Sequence, residues 1–253
     1  MKSRIITFVT LCLLLAAITA CTPQSLSPQD IGNSSGGQSI SSENVTDLND
    51  ANILIAYFTR LDNTDADLDE IIQGGGPYGN LGESFEDADV DAITSASITV
   101  MNDQAQGNVE TLAQMIHESV GGTLFSIQTE RSYPVNYDEL IELGGDEKNT
   151  NARPSLSVQV DDMDSYDVIF IGYPNWWYDM PMAVYQFLES YDFSGKTVIP
   201  FASSAGSGFS GTIGTIQELL PDASVLENGL HIHMTDVAQA QQQVDEWLAQ
   251  LGF

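Results

Sequence analysis

The segment Val168–Trp177, with the sequence VIFIGYPNWW, decides the fold. Its first half, Val168–Gly172, is a continuous apolar run rich in β-branched and aromatic residues. Such a run is typical of a strand that is buried on both faces. An aromatic loop, Tyr173–Tyr178, follows it directly. Because open α/β sheets bind ligands beyond the carboxyl ends of their strands, we expect this loop to line a binding site.

Similar apolar runs lie on either side of this segment and alternate with helical patterns. Apolar residues at helical spacing predict helices over 109–120, 181–190, 213–220 and 237–251. Strands separated by helices predict an α/β fold with an open, doubly wound parallel sheet and helices on both faces. The five predicted strands are Ile53–Phe58, Thr123–Ile127, Val168–Gly172, Thr197–Phe201 and a broken strand within Ser224–Met234.

Three predicted strands end in loops that should meet at one edge of the sheet. These loops are the hydroxyl-bearing Thr59–Thr64, the aromatic Tyr173–Tyr178 and the Ser/Gly-rich Ala202–Gly208. Hydroxyls and backbone N–H groups at a helix start can hold a phosphate without Lys or Arg. Tryptophan and tyrosine beside them offer a stacking surface for a flat ring. The combination predicts a site for a mononucleotide that carries a large aromatic ring.

These features resemble the flavodoxin-like family, and more specifically its long-loop bacterial members, which are often lipoproteins. The resemblance runs from about Asn52 to Phe253 and is most specific at Tyr57–Thr59, Gly107-Asn108, Gly172–Trp177 and Phe193–Phe201. It implies an FMN-binding electron-transfer protein whose five strands lie in the order 2-1-3-4-5. The residues expected at the cofactor are Thr59, Arg60, Thr64, Gly107, Asn108, Val109, Pro174, Asn175, Trp176, Trp177, Ser203, Ser204, Gly206, Ser207 and Gly208.

The sequence departs from the family at the expected phosphate loop. Asp62 stands where the family has the glycine before asparagine, and 61–106 resembles an insertion between the two halves of that loop. Val109 replaces a threonine, and one lost hydroxyl bond costs about 1 kcal/mol, or roughly fivefold to tenfold in affinity. Arg60 is expected to contact the phosphate or to close the insertion, with an exposed loop charge as the alternative. These departures keep open a second hypothesis, a surface binding module that retains the fold without the cofactor.

The N-terminus has the pattern of a bacterial lipoprotein signal. Lys2 and Arg4 precede an apolar run, Ile5–Ala20, that is shorter than a membrane-spanning helix needs. Residues 18–21 resemble a lipobox, which implies cleavage after residue 20 and lipidation of Cys21. The polar stretch 21–50 then predicts a flexible tether to a domain over 51–253. We therefore expect a lipid anchor on the extracytoplasmic face of the cell membrane.

The charge of the chain excludes several kinds of partner. The sequence has 36 acidic and 7 basic side chains, a formal net charge of −29, which becomes −31 once the signal peptide is removed. Nucleic-acid binding and direct adhesion to anionic lipid both need clustered cations. The same field repels NADPH and attracts a basic redox partner protein. It favours an electron carrier over the alternative of an NAD(P)H-dependent quinone or metal reductase.

Other motifs compete with this interpretation. Gly206–Gly211 matches the dinucleotide pattern G-x-G-x-x-G, but too few residues follow it to complete a dinucleotide fold. Acidic runs at 65–69 and 87–91 begin like calcium loops yet lack the required Gly and Glu, so a solvated acidic insertion is favoured and calcium stays open. His231 and His233 lack an evident third metal ligand, and we predict neither a metal site nor a catalytic side chain.

Overall fold

A parallel sheet built around the predicted central strand forms the core of the molecule. A computed structural model describes residues 48, 51–65, 98–101, 104–134 and 137–253. The strands are β1 Ile53–Tyr57, β2 Ile98–Met101, β3 Gln104–Gly107, β4 Thr123–Ser126, β5 Val168–Pro174, β6 Thr197–Ser204, β7 Ser224–Val225 and β8 Leu230–His233. The helices are α1 Asn108–Val120, α2 Tyr137–Thr150, α3 Met182–Glu189, α4 Thr212–Leu219 and α5 Gln241–Leu251. Short 3₁₀ helices cover Leu61–Asn63, Met163–Ser165 and Val237–Gln239.

The strand order is β4-β1-β5-β6-β7, and β8 also pairs with β6. Every pairing in this sheet is parallel, as its registers show. When β7 and β8 are counted as one interrupted strand, the order is consistent with the predicted 2-1-3-4-5. The hairpin β2–β3 is antiparallel and forms a separate two-stranded sheet.

The interruption of the last strand has a local cause at Pro200. On the side of β6 that faces away from β5, β7 pairs with Thr197 and Val198, and β8 pairs with the strand from Phe201 onward. Pro200 lies in the gap and has no N–H to donate to a neighbouring strand. The proline therefore separates two short pairings where a single strand would otherwise continue.

Alternate residues of the strands pack on opposite faces of the sheet. In β1, Leu54 and Ala56 belong to one apolar core, whereas Ile53 and Ile55 belong to the other. The first core contains residues of α2, α3 and α4, among them Leu140, Val184 and Ile216, while the second contains residues of α1 and α5, among them Leu112 and Val244. Both faces are covered, which confirms the doubly wound α/β prediction.

Several boundaries differ from those expected. The strand β6 continues through Ala202–Ser204, and β5 continues through Tyr173-Pro174, so these residues are strand ends rather than loop. Pro181 precedes the first residue of α3 instead of opening the helix. The helix α2 was not predicted from the sequence. Gly144-Gly145 lies in its middle, and each glycine disfavours a helix by about 1 kcal/mol.

The predicted signal peptide 1–20, the predicted lipidation site Cys21 and the predicted tether 21–50 lie outside the described residues, apart from Leu48. Of the predicted insertion 61–106, the structure describes 61–65, 98–101 and 104–106. The second acidic run, 87–91, and all of the first except Asp65 are likewise outside the description. Within the described part of the chain, no helix is both long and apolar enough to cross a membrane.

Candidate functional site

The end of β1 meets the start of α1, although the predicted insertion separates them in sequence. Thr59 is buried just after β1, and Gly107 is the residue before the first turn of α1. A Cβ atom at Gly107 would collide with the Thr59 hydroxyl, so only glycine permits this approach. The two predicted halves of the phosphate loop therefore lie together at the N-terminus of a 13-residue helix.

Asn63 fixes this loop to the neighbouring strand ends. Its buried amide nitrogen donates to the carbonyls of Thr59 at 2.8 Å and Ile127 at 3.0 Å. Its amide oxygen accepts from the Thr129 backbone N–H at 2.8 Å. The hydroxyl of Thr64 donates to the Tyr133 carbonyl at 2.9 Å. Asn63 and Thr64 thus hold the loop against the segment after β4, a role that the sequence pattern did not indicate.

Three charged residues lie in or beside the same loop. Arg60 is only 4% exposed, and its Nη2 donates to the Pro134 carbonyl at 2.9 Å. Asp62 accepts from the Ser126 hydroxyl at 2.6 Å, and desolvation raises the pKa of its carboxyl group. Desolvation also raises the pKa of Glu110, whose carboxylate accepts from the Gly107 N–H at 3.0 Å. Arg60 is a buried side chain tied to the loop after β4, which corrects the alternative of an exposed loop charge.

Two of the expected cofactor residues have core side chains. Val109 is 2% exposed and belongs to the apolar core beneath the sheet. Trp176 is 5% exposed and packs edge-on against Phe58 and Tyr133, with ring centroids 5.4 Å and 5.2 Å away. Val109, in place of the family's threonine, therefore contributes to the core, and the buried Trp176 ring anchors the aromatic loop to the other core.

Trp177 and Tyr178, which follow Trp176 in the chain, form a tight turn. Trp176 and Asp179 exchange backbone hydrogen bonds of 2.8 Å and 2.9 Å around Trp177-Tyr178, which we call the aromatic turn. Both central residues are left-handed, with φ of 54° and 59°. Such turns normally use Asn-Gly, and a left-handed non-glycine residue costs roughly 1–2 kcal/mol. The strained turn leaves Trp177 46% exposed and Tyr178 60% exposed.

A hydroxyl inside the fold shapes the Ser/Gly loop after β6, residues 205–211. Ser204 is fully buried, and its oxygen accepts from the N–H groups of Gly206 at 3.2 Å and Gly208 at 3.0 Å. The same oxygen lies 2.7 Å from Nε2 of His231. Because both lone pairs of the hydroxyl are used, its proton must point to His231, which is then the neutral tautomer with its proton on Nδ1. Desolvation, with a smaller contribution from His233, lowers the pKa of His231.

Asn175 joins the two loops. Its backbone N–H donates to the Ser203 carbonyl at 3.0 Å, and its amide nitrogen donates to the Gly208 carbonyl and the Ser210 hydroxyl, both at 2.9 Å. Gly206 and Gly208 have φ of 147° and 59°, conformations that a side chain would strain. The glycines predicted to approach a ligand closely therefore have a backbone reason to be glycine.

Three buried polar atoms of these strand ends and loops lack a hydrogen-bond partner among the described residues. They are the hydroxyls of Ser203 and Ser207 and the indole nitrogen of Trp176. A buried unsatisfied group costs about 1–3 kcal/mol, so such atoms are commonly satisfied by a ligand or water.

The competing chemistries find less support in this arrangement. In the described residues, no group of three or more His, Cys, Asp or Glu side chains could hold a metal ion. His231 contacts Ser204, while His233 Nε2 lies 3.0 Å from the Ala205 carbonyl oxygen. Ser204 is fully buried and therefore unsuited to act as a nucleophile.

Comparison with known proteins assigns the family. The flavodoxin family model matches residues 97–251, more than half of the chain. The chain belongs to the flavodoxin family. The flavodoxin match includes α1 with its Gly107-Asn108 start, the aromatic turn and the Ser/Gly loop. The comparison with curated proteins finds no match.

Two solved structures with TM-scores above 0.5 share the fold of this chain, and a third has a lower TM-score. A candidate flavoprotein from Bacteroides eggerthii DSM 20697 is 21% identical with a TM-score of 0.55, covering 80% of this chain and 99% of its own. A candidate flavoprotein from Bacteroides uniformis ATCC 8492 is 23% identical with a TM-score of 0.54, covering 79% and 98%. A flavoprotein in complex with FMN from Lactobacillus acidophilus NCFM is 17% identical with a TM-score of 0.47, covering 78% and 99%.

Proposed function

We propose that this flavodoxin binds FMN and transfers electrons. The observation that carries the proposal is the meeting of Thr59 with Gly107-Asn108 at the N-terminus of α1. A helix start lined by backbone N–H groups and a hydroxyl holds a phosphate without a lysine or arginine. The exposed aromatic turn and the Ser/Gly loop follow the neighbouring strands β5 and β6 at the same edge of the sheet.

The residues present fit an FMN molecule in three parts. Thr59 and backbone N–H groups in the first turn of α1 would hold the phosphate, while the Gly107 N–H is bonded to Glu110. Trp177 and Tyr178, the exposed aromatic residues, would offer faces for the ring. The hydroxyls of Ser203 and Ser207 would hydrogen-bond its polar edge. When bound, FMN supplies the one- or two-electron chemistry, and the protein supplies binding and electrostatics.

An FMN titration of the full-length protein tests this function. We expect bound flavin with quenched fluorescence, because stacked aromatic residues lie against the ring. A Gly107→Val variant should lose binding, since its side chain would collide with Thr59. Gly214→Ala in α4 is the matched control, because nothing lies near the position of its Cβ. Wild-type protein that takes up no FMN would support the cofactor-free binding module instead.

The large negative charge favours a carrier over a reductase within this proposal. A formal net charge of −29 repels an anionic dinucleotide and attracts a basic partner protein. We expect the flavin-loaded protein to oxidise NADPH more slowly than the roughly 10 s⁻¹ median turnover of enzymes. Faster turnover in a stopped-flow experiment would assign an NAD(P)H-dependent reductase.

We propose further that Cys21 carries a lipid that anchors the domain outside the cytoplasm. The supporting observation is the sequence alone, with its charged start, its apolar run and a cysteine at residue 21. Labelled fatty acid should appear on the wild-type protein in bacterial cells and be absent from Cys21→Ser. Equal labelling of both proteins would remove the anchor from the proposal.

A further inference from the structure

The helix α2, Tyr137–Thr150, packs against the aromatic turn. The indole nitrogen of Trp177 donates to the Ile141 carbonyl at 3.2 Å. One helical turn further, Gly144 and Gly145 leave a flat surface beside the two tryptophans. A Cβ at Gly145 would lie 3.4 Å from the Trp177 indole, an ordinary van der Waals contact, so the ring packs against this face of the helix.

Lys148, near the C-terminal end of the same helix, makes two further contacts with this part of the chain. Its Nζ donates to the Trp177 carbonyl at 2.6 Å and lies 3.3 Å from Oδ2 of Asp179. The other oxygen of Asp179 accepts from the Met180 N–H and the Tyr185 hydroxyl, both at 2.8 Å. Lys148 therefore ties the turn to a carboxylate that is itself fixed to the start of α3.

These contacts explain how two non-glycine residues remain left-handed in the aromatic turn. A strained backbone persists only where its surroundings over-determine it, and strain of this kind clusters at ligand sites. The indole bond, the glycine surface and the Lys148 bridge all constrain the same four residues, 176–179. Lys148 is also one of seven basic residues in a strongly acidic chain.

We propose that Lys148 is a positioning residue that presets the aromatic turn for stacking on a flavin ring. The inference rests on the proposed function, since it assigns the turn to the ring of FMN. Without the lysine, the turn relaxes toward ordinary backbone angles and the aromatic faces lose their fixed direction. Ring binding weakens, while the phosphate half of the site, held by Thr59, Asn63 and Gly107, is unaffected.

The test compares Lys148→Met with Lys148→Arg and with Arg131→Gln, in the full-length protein. Arg131→Gln removes the same charge from an exposed loop. We expect Lys148→Met to weaken FMN binding about fivefold to tenfold, the effect of losing a hydrogen bond of about 1 kcal/mol. Inhibition of FMN binding by inorganic phosphate should keep its wild-type constant. Lys148→Arg should restore FMN binding to within about twofold, because arginine can donate to both partners.

A second readout examines the turn in flavin-free protein. The Trp177 indole N–H gives a nuclear magnetic resonance signal that Trp177→Phe identifies, and its hydrogen exchange should speed up about tenfold in Lys148→Met. Gly145→Leu should accelerate the same exchange without removing a charge, because its side chain pushes the indole away.

Three results would overturn the inference. They are an unchanged exchange rate in Lys148→Met, an FMN affinity within twofold of wild type, or an equal loss of affinity in Arg131→Gln. Wild-type protein that fails to bind FMN would instead count against the proposed function. In that case the exchange measurement alone would decide whether Lys148 holds the turn.

Discussion

The two loops that flank the candidate ring site are held in opposite ways. The aromatic turn, Trp177-Tyr178, depends on a helix outside it, since α2 supplies Lys148 and the Ile141 carbonyl. The Ser/Gly loop depends on the Ser204 hydroxyl at its base and on glycines that accept unusual backbone angles. The aromatic turn is constrained mainly by α2, whereas the Ser/Gly loop is constrained by local hydrogen bonds and glycine conformations together with Asn175. Mutations in the two loops should therefore differ in how they change FMN affinity, the free energy of unfolding and its pH dependence.

The largest effect on stability should appear when a variant of the buried Trp176, which supports the aromatic turn, is compared with a variant of the exposed Tyr178. Trp176→Ala should lower the free energy of unfolding by about 3–5 kcal/mol, because it removes a large buried ring from between Phe58 and Tyr133. Tyr178→Ala should change stability by less than about 0.5 kcal/mol, since this ring is 60% exposed. The same variant should weaken FMN binding by roughly threefold to tenfold. Urea denaturation and FMN titration check both, and equal stability losses would contradict the buried and exposed assignments.

The next effect tests the internal support of the Ser/Gly loop. Ser204→Ala removes the acceptor of two backbone N–H groups and the donor to His231, and should lower the free energy of unfolding by about 2–4 kcal/mol. Ser207→Ala is the matched control, because its buried hydroxyl has no partner among the described residues. We expect that control to be neutral or slightly stabilising in urea denaturation. Similar losses in both variants would show that Ser204 does not organise the loop.

A smaller effect should appear as a pH dependence of the Ser/Gly loop. His231 has a pKa below its ordinary 6.5 in the folded protein, so the unfolded chain binds more protons below that pH. Stability should fall as pH drops from about 6.5 toward the folded pKa, by about 1.4 kcal/mol for each unit of pKa difference. Protonation would also oblige Ser204 to release one of its glycine N–H partners.

The comparison of wild type with His231→Gln isolates this contribution. Raised pKa values at Asp62 and Glu110 act in the opposite direction at lower pH, and the subtraction removes them. Unfolding free energies measured across the acid range in both proteins should converge as pH falls. A difference that is independent of pH would exclude His231 as the titrating group.

The smallest effect concerns the charge around both loops. Reduction adds negative charge near a chain of net charge −29, so the surrounding acids should lower the midpoint potential of a bound flavin. Salt screens such interactions over about 10 Å at 0.1 M, and the potential should rise with ionic strength by the equivalent of about 1 kcal/mol or less. A redox titration at increasing salt checks this, and a constant potential would assign the acids to solubility alone.

The sheet was predictable because its strands are unbroken apolar runs. Val168–Gly172 and Ile53–Phe58 needed only hydrophobic patterning, and the broken last strand was also expected. The helix α2 was not predictable, because Gly144-Gly145 lowers its helix propensity, yet in the fold this helix contacts Trp177. Local sequence and tertiary requirement pointed in opposite directions there.

The candidate site was predictable in its loops but not in its side-chain directions. Nothing in Trp176-Trp177 distinguishes a buried ring from an exposed one, because that depends on a turn with two left-handed residues. Ser204 was expected at the ligand, and the structure places its hydroxyl beneath the loop instead. The role of Asn63 depends on Ile127 and Thr129, contacts that only the folded chain creates.

The junction of Thr59 with Gly107 closes the predicted phosphate loop at residues that are far apart in sequence. The sheet and α1 hold its two ends, and the amide of Asn63, four residues after Thr59, fixes the first of them. Doubling the length of a flexible connection costs only about 0.6 kcal/mol. We therefore expect the segment after Thr64 to accept added sequence, such as an epitope or a second binding module, beside the candidate site. The same junction that brings Thr59 to the start of α1 would then present that added sequence next to the proposed ligand.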